Sequence, residues 1–195
     1  MKTSCEDHAM CPDFVRRKIL LLGDPAVGKT SLIRRFVIDK FLDEYFSTIG
    51  MKVTKKVLRV EAWGRSIDLT FLIWDILGQR AYREIQEFAL QGVKGVLFVY
   101  DLTRPDSKEG LEDYWIPKLR AFDKSIPMVV IGNKVDLVRS KPESEQEIEA
   151  LARKYGTRGF VSSAKTGEGV EDAFLTLGRA VIEATGLAHG TKVVA

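Results

Sequence analysis

Gly23-Asp24-Pro25-Ala26-Val27-Gly28-Lys29-Thr30 has the residue spacing of a phosphate-binding loop. Glycines at those places let backbone N–H groups turn toward an anion, and a helix opening just after them adds the positive end of its dipole. On this reading Gly23, Asp24, Ala26, Val27, Gly28, Lys29, Thr30 and Ser31 line a phosphate site. Lys29 reaches the outer phosphates and Thr30 offers a hydroxyl to Mg²⁺. By itself the loop separates neither ATP from GTP nor a kinase from a hydrolase.

Asp75-Ile76-Leu77-Gly78-Gln79 closes an apolar run, where open α/β sheets place their ligands. Asp75 can hold Mg²⁺ through a coordinated water, Gly78 can give its N–H to a γ-phosphate, and Gln79 can orient a water behind it. Asn133-Lys134-Val135-Asp136 addresses the base. Guanine presents N1–H and N2–H₂ side by side, and one carboxylate, Asp136, can accept both. Adenine has no such donor pair, so it would leave that carboxylate desolvated and unpaired. Ser162-Ser163-Ala164-Lys165 adds a backbone N–H near Ala164 for guanine O6, with Lys165 packed over the base.

The elements that position these residues alternate in type. Lys18–Gly23 is a short apolar run, Thr30–Val37 reads as a helix, and residues 39–50 carry no period and read as a loop. Val53–Val60 and Ile67–Trp74, joined through Trp63-Gly64-Arg65, predict an antiparallel hairpin, because that connection is too short for a crossover. A helix near 82–91, a buried strand Gly95–Tyr100 and a helix over about 107–122 follow, the last interrupted or kinked at Pro117. Pro127–Gly132 is a further buried strand. Ser140 is expected to cap a helix that carries Ile148, Leu151, Ala152 and Tyr155 on one face and stops at Gly156. Phe160-Val161 is a last short strand, and Val170, Ala173, Phe174, Leu177 and Val181 line a closing amphipathic helix. Continuous apolar strands alternating with such helices predict an α/β fold, a parallel sheet covered on both faces.

The chain has 195 residues, 45% hydrophobic and 29% charged, with a net charge of +3. That length fits one domain with a core large enough to need no staples. The charges are interspersed, which argues for a solvated mixed surface and against nucleic-acid binding. Cys5 and Cys11 make neither a disulfide framework nor a zinc spacing and read as free thiols. No secretory signal opens the sequence and no apolar run has the length of a membrane span. The expected organisation is an N-terminal tail over 1–14, one nucleotide-binding domain over 15–184 and a C-terminal tail over 185–195.

The four motifs, in this order and spacing, resemble those of small GTPases of the Ras superfamily, over residues 15–184. The resemblance implies a phosphate-loop GTPase fold: a mostly parallel six-stranded sheet with one antiparallel edge strand and helices on both faces. It also gives the unpatterned loop a reading. Phe41 matches the aromatic beside guanine, Tyr45 the tyrosine that closes over the phosphates, and Thr48 the threonine that contacts Mg²⁺ and the γ-phosphate. Ser47-Thr48-Ile49-Gly50 and Ile73-Trp74-Asp75 are similar to Rab proteins, whereas Trp115-Ile116-Pro117 is closer to the Rho branch. Pro25 stands where Ras has glycine, and Arg80 replaces a glutamate usual after the glutamine.

What the resemblance implies is a molecular switch that binds GTP and GDP with Mg²⁺ and hydrolyses GTP slowly. Its catalytic set is Gln79, Lys29 and Thr48, and its metal set Thr30, Thr48 and, through water, Asp75. Expected partners are effector, exchange-factor and GTPase-activating proteins, with the chain a monomer. The C-terminal Thr191-Lys192-Val193-Val194-Ala195 has no prenylation cysteine, and Lys2 stands where myristoylation needs glycine. No stable membrane anchor and a cytoplasmic location are therefore expected. No arginine can be assigned from the sequence to the transition state, and the ring of Pro25 crowds the place where an external one would enter. Two alternatives stay open: a module that holds GTP with negligible hydrolysis, and a phosphotransferase built on the same loop.

Overall fold

The computed structural model describes residues 13–39, 51–62, 64–76 and 83–185. Within them the order is β1 (Asp13–Leu22), α1 (Lys29–Ile38), β2 (Met51–Ala62), β3 (Arg65–Ile76), α2 (Arg83–Leu90), β4 (Gly95–Asp101) and α3 (Pro105–Gly110). A π-helical turn (Leu111–Trp115) leads into α4 (Ile116–Phe122). Then come β5 (Met128–Asn133), a 3₁₀ turn (Val135–Leu137), α5 (Lys141–Tyr155), β6 (Arg158–Val161) and α6 (Val170–Ala184).

The six strands form one sheet in the order β2-β3-β1-β4-β5-β6. Only β2 pairs antiparallel, with Ala62 opposite Arg65 across a two-residue connection, as the hairpin reading requires. The other pairs are parallel. Successive side chains of a strand point to opposite faces, and β1 shows the consequence directly. Ile19 and Leu21 join a core with Leu32 and Phe36 of α1 and Phe174 and Leu177 of α6. Leu20 and Leu22 join the other core, with Trp115, Leu119 of α4 and Leu151 of α5. The Phe36 and Phe174 rings stack with centroids 3.9 Å apart, which ties α1 to α6.

Register brings the strand ends together. Leu21 lies opposite Asp75, Leu22 opposite Phe98, Asp101 opposite Asn133, and Gly132 opposite Val161. The carboxyl ends of five strands therefore share one edge of the sheet, the edge at which such sheets take ligands.

Pro117 does interrupt its helix, by a π turn rather than a break. The Ile116 N–H reaches back to the Leu111 carbonyl, five residues away, and the proline ring, which has no N–H to give, follows at the second position of α4. Ser140 is a correction. It occupies the N-cap of α5, but its side chain makes no capping bond. Pro142 removes one of the N–H groups such a cap would serve, and the Ser140 carbonyl instead accepts from the Ser144 N–H and hydroxyl, at 3.4 and 3.2 Å.

Candidate functional site

The loop after β1 has the backbone its sequence demands. Gly23 has φ +148° and Gly28 φ +99°. A Cβ on Gly23 would lie 2.0 Å from the Val99 carbonyl oxygen, and one on Gly28 2.2 Å from Asn133 Nδ2. Both glycines are thus forced by close approach as well as by dihedral. Ala26, at φ +63°, holds a left-handed conformation without that freedom, which costs on the order of 1 kcal/mol.

Inside the loop Lys29 is 6% exposed. Its Nζ donates to the carbonyls of Gly23 at 2.7 Å and Asp24 at 2.9 Å, so the loop curls around a single cation. Burial lowers its pKa to about 8 against the pull of Asp75 and Asp24, with Arg104 adding to the lowering. Thr30 donates its hydroxyl to Asp75 Oδ2 at 2.6 Å, and Asp75 is 2% exposed. This pairing joins the first turn of α1 to the end of β3. Ser31 sits half-buried in the same turn of α1.

Two side chains from beyond β4 reach the loop from outside. Trp115 Nε1, in the π turn, donates to Asp24 Oδ1 at 2.9 Å. Arg104 Nη2 donates to the Pro25 carbonyl at 3.0 Å. Pro25 itself is exposed.

On the base side Asn133 ends β5 almost fully buried. Its Nδ2 donates to the Val27 carbonyl at 2.9 Å, while its Oδ1 accepts the Ala164 N–H at 3.2 Å. One amide therefore links the phosphate loop to the loop after β6. Lys134 follows at φ +68°, which turns the chain into the 3₁₀ turn carrying Asp136. The buried Ser163 hydroxyl donates to Asp136 Oδ1 at 2.6 Å and fixes a carboxylate that is otherwise exposed. Lys134 Nζ meets Asp101 Oδ2 at 2.6 Å. Burial works to raise the Asp101 pKa, but donors from Lys134 and Thr103 outweigh it and hold the carboxyl below its usual range.

The described site residues Gly23, Asp24, Ala26, Val27, Gly28, Lys29, Thr30, Ser31, Asp75, Asn133, Lys134, Asp136, Ser163, Ala164 and Lys165 converge on this edge. Phe41, Tyr45, Thr48, Gly78 and Gln79, together with Arg80, lie outside the described residues. Sequence reasoning missed Asp101, Arg104, Trp115 and Arg35. Arg35 of α1 donates from Nε to the Ala164 carbonyl at 2.9 Å and from Nη2 to the Lys165 carbonyl, and so holds the base loop from below. For Asp101 a signal existed, because it ends a buried strand as Asp75 does.

A sheet of this order with such an edge defines a nucleotide-binding domain of the phosphate-loop class. The Ras family model matches residues 18–183, and the chain belongs to that family: it is a Rab-like small GTPase, a GTP hydrolase that works as a nucleotide switch. It is similar to Ras-related protein RABD1 of Arabidopsis thaliana, 39% identical over 161 residues that cover 82% of this chain and 76% of that one. It is also similar to Ras-related protein Rab-13 of Rattus norvegicus, 35% identical over 170 residues covering 87% and 81% respectively. Ras-related protein Rab-8B of Homo sapiens is 36% identical over 166 residues, covering 85% and 78%.

Proposed function

We propose that this GTPase binds guanine nucleotide with Mg²⁺ at the carboxyl edge of the sheet and hydrolyses GTP slowly, its state read by proteins that contact the segments around Thr48 and Gln79. The observation that carries the reading is the Asn133 amide, which fixes the phosphate loop and the base loop at one spacing. Asp136, held by Ser163, accepts the two guanine donors, and the Ala164 and Lys165 segment covers the O6 side. Lys29 pairs with the outer phosphates, whose negative charge would favour the ammonium form that burial disfavours.

Mg²⁺ suits this chain, since the Thr30 hydroxyl and the Asp75 carboxylate are hard oxygen donors set side by side. When bound it would neutralise charge on the β- and γ-phosphate oxygens. Thr30 and Thr48 would touch it directly, and Asp75 through a water. Gln79 would orient the attacking water. Membership of the Ras family favours hydrolysis over transfer to a small molecule.

The test is single-turnover phosphate release from protein loaded with GTP, run with and without small-molecule acceptors. Water-only hydrolysis, lowered by Gln79→Leu with GDP affinity unchanged, is expected. Transfer to an acceptor, or equal rates in the two proteins, contradicts the reading.

A further inference from the structure

Arg104 is tied to this edge through both its backbone and its side chain. Its N–H donates to the Asp101 carbonyl at 2.9 Å, and its own carbonyl accepts the Ser107 N–H at 3.0 Å and the Ser107 hydroxyl at 2.6 Å. Pro105 begins α3 immediately after it, so the backbone beneath this arginine is fixed. The side chain then turns back toward β1. Nη2 donates to the Pro25 carbonyl at 3.0 Å, and the buried Nε lies 3.6 Å from Asp101 Oδ2. The loop therefore faces two fixed cations, Lys29 from within and Arg104 from over Pro25.

A guanidinium carries five donors in a planar fork and stays charged at any working pH. Pro25 takes one of them, which leaves others for a second oxygen. We propose that Arg104 is a catalytic residue supplied by the chain itself, donating to the terminal phosphate of GTP as negative charge grows there. The proposal rests on the hydrolytic reading above. In that step a water oxygen bonds to the γ-phosphorus while the bond to the β–γ bridging oxygen breaks. The bonding pair leaves with GDP, and the water's proton ends on inorganic phosphate. Arg104 neither gains nor loses a proton; it offsets the charge, the part that an arginine plays in phosphoryl transfer. Pro25 belongs to the same arrangement. Its exposed ring occupies the approach from solvent, while its carbonyl anchors the internal arginine.

The experiment compares the chain with Arg104→Gln and Arg104→Lys by three readouts: GDP affinity, single-turnover hydrolysis, and capture of aluminium fluoride by the GDP-bound protein without any activating protein. Aluminium fluoride imitates the transferring phosphoryl group, so its capture reports charge complementarity at that group and not loop stability. The unsubstituted chain should capture it. Arg104→Gln should keep GDP affinity within about twofold, lose capture and slow hydrolysis roughly ten- to thirtyfold, with Arg104→Lys intermediate. Capture and hydrolysis unchanged in Arg104→Gln would overturn the proposal. So would loss of GDP affinity in proportion to rate, which marks a clamp on the loop. An unsubstituted chain that binds GTP and never hydrolyses it overturns the underlying reading instead, and the role of Arg104 with it.

Discussion

Asp136 is exposed and would have many rotamers, but the Ser163 hydroxyl at 2.6 Å selects one. Ser163 is itself fully buried and accepts the Thr166 N–H at 3.1 Å, so the selecting group cannot drift. On the proposed reading, the energy that separates guanine from adenine would be set by an oriented charge rather than by pocket shape. Asp136→Asn should lower GDP affinity by roughly 2–4 kcal/mol and raise affinity for the xanthine nucleotide, whose C2 oxygen can accept from the amide. Titration of fluorescent GDP and XDP against both proteins checks this. Unchanged GDP affinity would remove Asp136 from the site. At this scale the sequence was most legible where a residue type has a single use. Gly28 follows from its motif, and the side chain that forbids a Cβ there, Asn133, belongs to another motif. Arg104 was not legible, since a lone arginine before a proline has many uses and only the fold brings it onto Pro25.

Among the elements, the strands and helices followed from their apolar periods, and their ends did not. Val53–Val60 and Ile67–Trp74 are the centres of β2 and β3, which run on to Met51–Ala62 and Arg65–Ile76 because pairing along the hairpin satisfies backbone groups whatever the side chains are. The strand expected at Lys18 begins at Asp13 for the same reason, in register with Ile67 of β3. The segment from Pro105 to Phe122 is the instructive case. Pro117 gave notice of an interruption, but not of a π turn, nor of what the turn does. The widened turn carries Trp115, 1% exposed, with its indole nitrogen on Asp24 of the phosphate loop. Trp115→Phe keeps most of the buried ring and deletes that hydrogen bond to a carboxylate. It should lower unfolding free energy by about 1.5–3 kcal/mol, seen as a lower urea midpoint with unchanged slope. An unchanged midpoint would mean that the indole bond adds nothing to the hold on the loop.

At the scale of the molecule, two cores among the described residues pin one sheet from opposite faces, and the candidate site residues gather where the parallel strands end. That placement follows from topology. β1, β3, β4, β5 and β6 run the same way, so their carboxyl ends share one edge. Among the described residues no helix is long and apolar enough to cross a membrane. On the proposed reading, the scaffold would give the γ-phosphate a rigid reference, Lys29 between two carbonyls and Thr30 on Asp75. A switch needs this fixed part, because a ligand shifts an equilibrium only through contacts that differ between states. The proposed differing contact is Thr48, which meets Mg²⁺ and the γ-phosphate before hydrolysis and neither afterwards. Amide hydrogen exchange across residues 41–50, measured with GDP and with a non-hydrolysable GTP analogue, tests that directly. Slower exchange in this segment with the analogue is expected, against little change in β1, β4 and β5. Equal exchange in the two states would contradict it and leave a nucleotide-binding protein without a switch.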